Sequence, residues 1–94
     1  MKLTLEFHGL PLAIVGQKVL SFNLPDPATY RDLVRRLAAD YPQLIDLVID
    51  RDRENFLSSN MFVINGDLAT PAMLLDETPP DGVHLILMSV ITGG

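Results

Sequence analysis

Few residue types in this 94-residue sequence could do chemistry. There is no cysteine, which removes a thiol nucleophile, a thiolate metal site and a disulfide framework together. The two histidines, His8 and His84, fall on the first and last of the strands read below, and if those strands run parallel the pair sits near opposite strand ends, a poor arrangement for a shared metal. Ser21, Ser58, Ser59 and Ser89 lack the context of a nucleophile elbow, and no glycine-rich phosphate loop precedes the helix. Asp76, Glu77 and Asp81 lie in turn segments, with nothing to suggest a buried acid/base pair. What remains is the end of the sequence, where an apolar strand runs out through Ile91 and Thr92 into Gly93 and Gly94. That strand ends on a carboxylate borne by Gly94, a residue with no side chain, which is an odd finish for a strand so apolar.

The elements that must position such a group are those of one small domain. With 48% hydrophobic and 20% charged residues the composition is that of a globular chain. Seven Lys and Arg against twelve Asp and Glu give a net charge of −5, which argues against a nucleic-acid partner, because phosphate-backbone affinity comes from clustered cations. Met1-Lys2-Leu3 opens directly into an alternating segment, and no apolar run approaches the roughly 18–20 residues of a membrane span. The expectation is a cytoplasmic protein with no membrane partner: a domain over 1–92 and a flexible reactive tail at 93–94.

Along the chain, Leu3, Leu5 and Phe7 alternate with polar residues, as do Leu20, Phe22 and Leu24, which predicts an antiparallel hairpin. Its connection, Gly9 to Gly16, is unusually apolar and reads either as longer strands or as an exposed contact surface. Tyr30, Leu33, Val34, Leu37, Ala38 and Tyr41 make one helical stripe, started by a Thr29/Asp32 capping box or by Asp26-Pro27 and stopped by Pro42. Gln43 to Val48 could add a short turn, and the sign-alternating run Asp50 to Glu54 reads as a solvated loop. Met61 to Ile64 is a short strand halted by the Asn65-Gly66 turn, and Asp67-Leu68-Ala69 adds a brief edge strand. Thr78 to Gly82 forms a strong turn, after which the final strand begins at Val83.

One helix covers only one face of a sheet, yet the final strand is apolar on both. Val83, Leu85 and Leu87 are assigned to the helix side. Ile86, Met88 and Val90 are assigned to the open side with His84, and Met61 or Val63 would join them in a partner-docking patch.

This element order, with Val63-Ile64-Asn65-Gly66, Asp81-Gly82 and Ile91-Thr92-Gly93-Gly94, resembles the ubiquitin-like sulfur-carrier families: the small subunit of molybdopterin synthase, the thiamine-pathway carrier and the ubiquitin-related modifier. The resemblance spans the whole chain. Ser89 and Val90 stand where molybdopterin-synthase small subunits often carry prolines. Ser89 matches a serine common in the ubiquitin-related modifier, where Thr92 replaces a histidine. The resemblance implies an α+β fold, the β-grasp, with a mixed sheet of four to five strands packed on one main helix.

It also implies a protein that is no enzyme by itself and holds no cofactor or metal. An adenylating, E1-like enzyme would activate Gly94 with ATP, and a sulfur donor would convert the acyl-adenylate to a thiocarboxylate. An acceptor enzyme, such as a large synthase subunit, would then take the sulfur. Gly93, Thr92 and Ile91 would thread the tail, and docking through Ile86, Met88, Val90, Met61 and Val63 would offset the roughly 1–2 kcal/mol lost per ordered tail residue. The alternatives are a modifier conjugated through Gly94 and a non-covalent β-grasp interaction module.

Overall fold

Alternation of apolar and polar residues writes the first hairpin. In the computed structural model, which describes residues 1–89, β1 (Lys2–His8) buries Leu3, Leu5 and Phe7 and turns Thr4, Glu6 and His8 to the other face. Its antiparallel partner β2 (Val19–Asn23) aligns Leu5 with Leu20 and Leu3 with Phe22.

The connection between them is neither prolonged strand nor open surface. Leu10–Val15 forms a short helix, α1. Gly9, at φ 70°, swings the chain off β1, and Pro11 costs nothing in the first turn, where its missing N–H would have had no helical partner. Gly16 ends the helix at φ 78°, its N–H donating to the Leu12 carbonyl at 2.9 Å. Pro11 is buried, and Leu12, Ile14 and Val15 pack against the core, which accounts for the apolar composition.

The main helix, α2 (Tyr30–Asp40), starts at Thr29 rather than at Asp26. The Thr29 hydroxyl accepts from the Asp32 N–H at 3.2 Å, and the Asp32 carboxylate accepts from the Thr29 N–H at 2.8 Å. The next two donors are met from across the fold: the Tyr30 N–H reaches the Glu77 carbonyl at 3.0 Å and the Arg31 N–H the Leu75 carbonyl at 2.9 Å. The exposed amides of the first turn are thus all paired, and the 74–77 loop is fixed in return. A 3-10 turn at Pro42–Leu44 follows and buries Leu44.

β3 (Asn60–Ile64) and β4 (Asp67–Ala69) are joined by Asn65 and Gly66, both at positive φ, as the two-residue turn requires. A 3-10 turn at Pro71–Met73 leads towards β5 (His84–Ser89), which opens one residue later than expected. The sheet order is β2-β1-β5-β3-β4, with β5 parallel to β1 and antiparallel to β3. This is the mixed β-grasp sheet in its five-strand form, with α1 as an addition to the one main helix expected. Phe7, Leu5, Phe62, Leu85 and Leu87 meet Leu33, Val34 and Leu37 of α2 in the core. Phe62 is flanked by Tyr30 and Phe56, with ring centroids 5.7 and 5.5 Å away. No helix among the described residues is long and apolar enough to cross a membrane.

The two faces of β5 should be separable by mutation. Leu87→Ala, in the core, should lose about 2–5 kcal/mol, and Met88→Ala, on the open face, about 1 kcal/mol or less, both read from urea unfolding at neutral pH.

Candidate functional site

Strand register, more than proximity in sequence, assembles the open face. Ile86 lies opposite Val63, Val63 opposite Leu68, Ile86 beside Glu6, and Glu6 opposite Val19. Leu68, Val63, Ile86, Glu6 and Val19 therefore form one row across all five strands, spanning about 19 Å at the usual strand spacing. The adjacent row carries Met61, Met88 and His8. Ile86, Met88, Met61 and Val63 are half-buried on the side away from α2, as the alternation predicts, and they form one contiguous apolar patch. The patch is larger than the sequence reading gave it, because Leu68, 66% exposed, extends it beside Val63, while Val19, 45% exposed, ends the row on the far side of Glu6. Leu68 was legible: a two-residue Asn65-Gly66 turn pairs Ile64 with Asp67 and so Val63 with Leu68.

Beside this patch stands a polar group that sequence reasoning did not assemble. His84 and His8 are four rows apart, near the two ends of the strand pair, and do not meet. Glu6 sits in the row between them and bonds both: its Oε2 pairs with His8 Nε2, and its Oε1 lies 3.0 Å from His84 Nε2. The His8 contact first, and then the His84 contact, hold the Glu6 carboxyl below its ordinary value by favouring the charged form. Among the described residues no three histidine or carboxylate groups are placed to hold a metal.

At the far end of β5, Ser89 is anchored through its side chain. Its hydroxyl donates to Asn60 Oδ1 at 3.0 Å, and Asn60 Nδ2 donates to the Val48 and Leu57 carbonyls at 3.2 and 3.1 Å. The polar run Ser58-Ser59-Asn60 gave no sign that one of its side chains would be buried. The remaining site residues expected from sequence, Val90, Ile91, Thr92, Gly93 and Gly94, lie outside the described residues.

The carboxylates elsewhere serve structure. Asp76 pairs with Arg31 at 3.0 Å, Asp81 accepts from the Lys2 N–H at 2.8 Å, and Glu54 ties the 50–54 loop to Arg31 and Arg35.

No protein-family model matches the sequence, and no curated protein does. Solved structures do match in shape along essentially the whole chain. The small archaeal modifier protein SAMP1 of Haloferax volcanii has a TM-score of 0.79 at 20% identity, covering 100% of both chains. Urm1 of Trypanosoma brucei has a TM-score of 0.76 at 22% identity, covering 99% of this chain and 95% of its own. A candidate molybdopterin converting factor subunit 1 from Pyrococcus furiosus has a TM-score of 0.71 at 17% identity, covering 96% of this chain and 98% of its own. The chain shares its ubiquitin-like β-grasp fold with these small proteins.

Because the folded state depresses the Glu6 carboxyl, its pairing supports the fold above the ordinary value of 4.5, and the support is lost as pH falls through the lower folded value. In an NMR titration of side-chain carboxyls Glu6 should titrate below the ordinary range. His8→Gln should return it further towards 4.5 than His84→Gln does.

Proposed function

We propose that this chain is a ubiquitin-like sulfur carrier of the molybdopterin-synthase small-subunit type, with the Gly94 carboxylate as the carried group. The observation behind the proposal is the placement of the apolar patch: it crosses β5, the strand whose sequence continues into Ile91-Thr92-Gly93-Gly94. A partner that grips Ile86 and Met88 holds the strand leading to the reactive end. An adenylating enzyme of E1 type joins Gly94 to AMP at the expense of ATP and releases pyrophosphate. A sulfur donor then displaces AMP and leaves a thiocarboxylate. An acceptor enzyme, such as a large synthase subunit, receives the sulfur in cofactor biosynthesis, and the carrier returns for another cycle in the cytoplasm. The chain itself is a co-substrate and contributes no bound cofactor.

Its residues supply two things. Gly93 and Gly94 let the backbone pass into a closed nucleotide site without side-chain collisions, while Thr92 and Ile91 precede them in the channel. Met61, Val63, Ile86 and Met88, together with Leu68 and, by its alternation in the sequence, Val90, supply docking energy, with the methionines adapting to successive partners. A second reading, a modifier conjugated to lysines through Gly94, is favoured by the likeness to SAMP1 and Urm1. Both uses begin with the same adenylation.

Intact-mass analysis after incubation with ATP, an adenylating enzyme from the same organism and a sulfur donor separates them. Exchange of one oxygen for sulfur is expected for the carrier, and protein adducts that vanish on deletion of Gly94 for the modifier. Neither product would remove both readings. In the same assay Met88→Asp should raise the KM for the chain by about tenfold or more, and an unchanged KM would remove the open face from docking.

A further inference from the structure

We infer that the open face selects a partner carrying a lysine or arginine beside its apolar contacts, with Glu6 as the residue that receives the cation; the inference rests on the docking role proposed above for this face. Glu6 stands inside the long row, one strand from Ile86 and one from Val19, at a spacing of about 4.8 Å. A partner side chain that covers Ile86 therefore also meets the edge of a carboxylate. That carboxylate is charged at neutral pH, since the His8 contact and then the His84 contact hold it below the ordinary value of 4.5, and its side chain keeps 21% exposure.

A charge in this position sorts partners. An apolar group laid over Glu6 strips its remaining water and returns nothing for it, whereas an ammonium or guanidinium group replaces that water with a charge-assisted hydrogen bond. There is room for one: the two carboxylate oxygens offer about four lone pairs, and His8 Nε2 and His84 Nε2 each face one oxygen. A second copy of this chain is a poor occupant, because its net charge of −5 repels its like.

The counter-ions that the fold gives Glu6 point the same way. Elsewhere Asp40, Glu54 and Asp76 pair with arginines, whose charge is permanent. Among the described residues Glu6 pairs only with imidazoles, which are charged only when protonated. Of the elements around it, β5 contributes His84, while α1 and the open-face residues of β2, β3 and β4 carry no ionisable group. Lys2, four residues back on β1, and Lys18, just ahead of β2, form no ion pair with it. The permanent cation is left for a partner to supply. Proton uptake by His8 and His84 turns the trio from net negative to net positive, so it competes with that cation, and by linkage the cation opposes the proton uptake.

The test titrates the chain with hexylguanidinium and its neutral isostere hexylurea, followed by NMR at the Ile86 and Val63 methyls and the Glu6 carboxyl. Hexylguanidinium should bind wild type about threefold or more tighter than hexylurea, and Glu6→Gln should remove the difference. Lowering the pH from about 8 to about 5.5, across the range in which imidazoles titrate, should erode the preference in wild type and leave it in a His8→Gln/His84→Gln double variant. Equal or absent responses to the two probes, or a preference that survives Glu6→Gln, overturn the inference. A second arm uses ATP–pyrophosphate exchange with the adenylating enzyme of the same organism, where Glu6→Gln should raise the KM for the chain by about tenfold. A purely apolar contact predicts the opposite sign, an equal or lower KM, because a charge that docking desolvates has been removed; that result also overturns the inference. If the probes are discriminated but wild type supports no exchange, the carrier reading fails and the cation site on the open face stands. If exchange proceeds and the probes are not discriminated, the carrier reading stands and the inference falls.

Discussion

The structure depends on β5 lying between β1 and β3 with both of its faces in use. Its backbone bonds to a parallel neighbour on one side and an antiparallel neighbour on the other. Side chains alternate strictly along a strand, so a slip of one residue would move Leu85 and Leu87 out of the core and put Ile86 and Met88 into it. The slip is opposed at both ends of the strand. At the start, the Thr4 N–H bonds the Val83 carbonyl at 3.0 Å and the Gly82 N–H bonds the Lys2 carbonyl at 2.7 Å, just after the turn that Gly82 makes at φ 79°. At the far end, Ser89 bonds Asn60. A parallel β1–β5 pair also demands a long crossover. The chain from Leu24 to Val83 supplies it, and the same stretch provides α2 to cover the sheet and β3 to flank the strand.

Most of that framework is legible in the sequence because it follows from periodicity and turn chemistry. Strand alternation locates β1, β2 and the two faces of β5, while Thr29 with Asp32 locates the start of α2 and Asn65-Gly66 the β3–β4 turn. The Gly9 to Gly16 connection was opaque for a physical reason. Six residues with four large apolar side chains carry too short a pattern to separate strand from helix, and the deciding facts are the φ angles at Gly9 and Gly16. The site divides in the same way. Ile86, Met88, Met61 and Val63 follow from alternation and pairing, whereas the Glu6 cluster needed the β1–β5 register, which brings His84 within reach of a carboxylate 78 positions away. Asn60 was hidden further, since a polar residue next to two serines has no sequence signature of burial.

Charge is distributed unevenly between the two sides of the sheet. Apart from Glu6, no carboxylate lies in the open-face row among the described residues. Asp32 caps α2, Asp40 pairs with Arg36, and Glu54 and Asp76 pair with arginines of α2 on the other side of the molecule. These surface pairs are each worth little in stability, about 0–1 kcal/mol. Their effect is on layout: by strand register Glu6 is the one carboxylate on the open face among the described residues, and both of its oxygens already face histidines. In the proposed docking role, contact there would be apolar except at Glu6, and the rest of the acidic surface would influence the rate of encounter.

In the proposed carrier, the build of the open face also sets how docking energy would be used. Loops that order on binding lose conformational entropy at the moment of association, but a patch built on five hydrogen-bonded strands is ordered beforehand, so more of its contact energy is retained. In the proposed carrier that surplus would offset the ordering of Gly93 and Gly94, which bring no side chains to contribute contacts. The two flanking ladders hold Ile86 and Met88 in register with Val63 and Met61 on one side and with Glu6 and His8 on the other, so the open face is presented as one rigid unit.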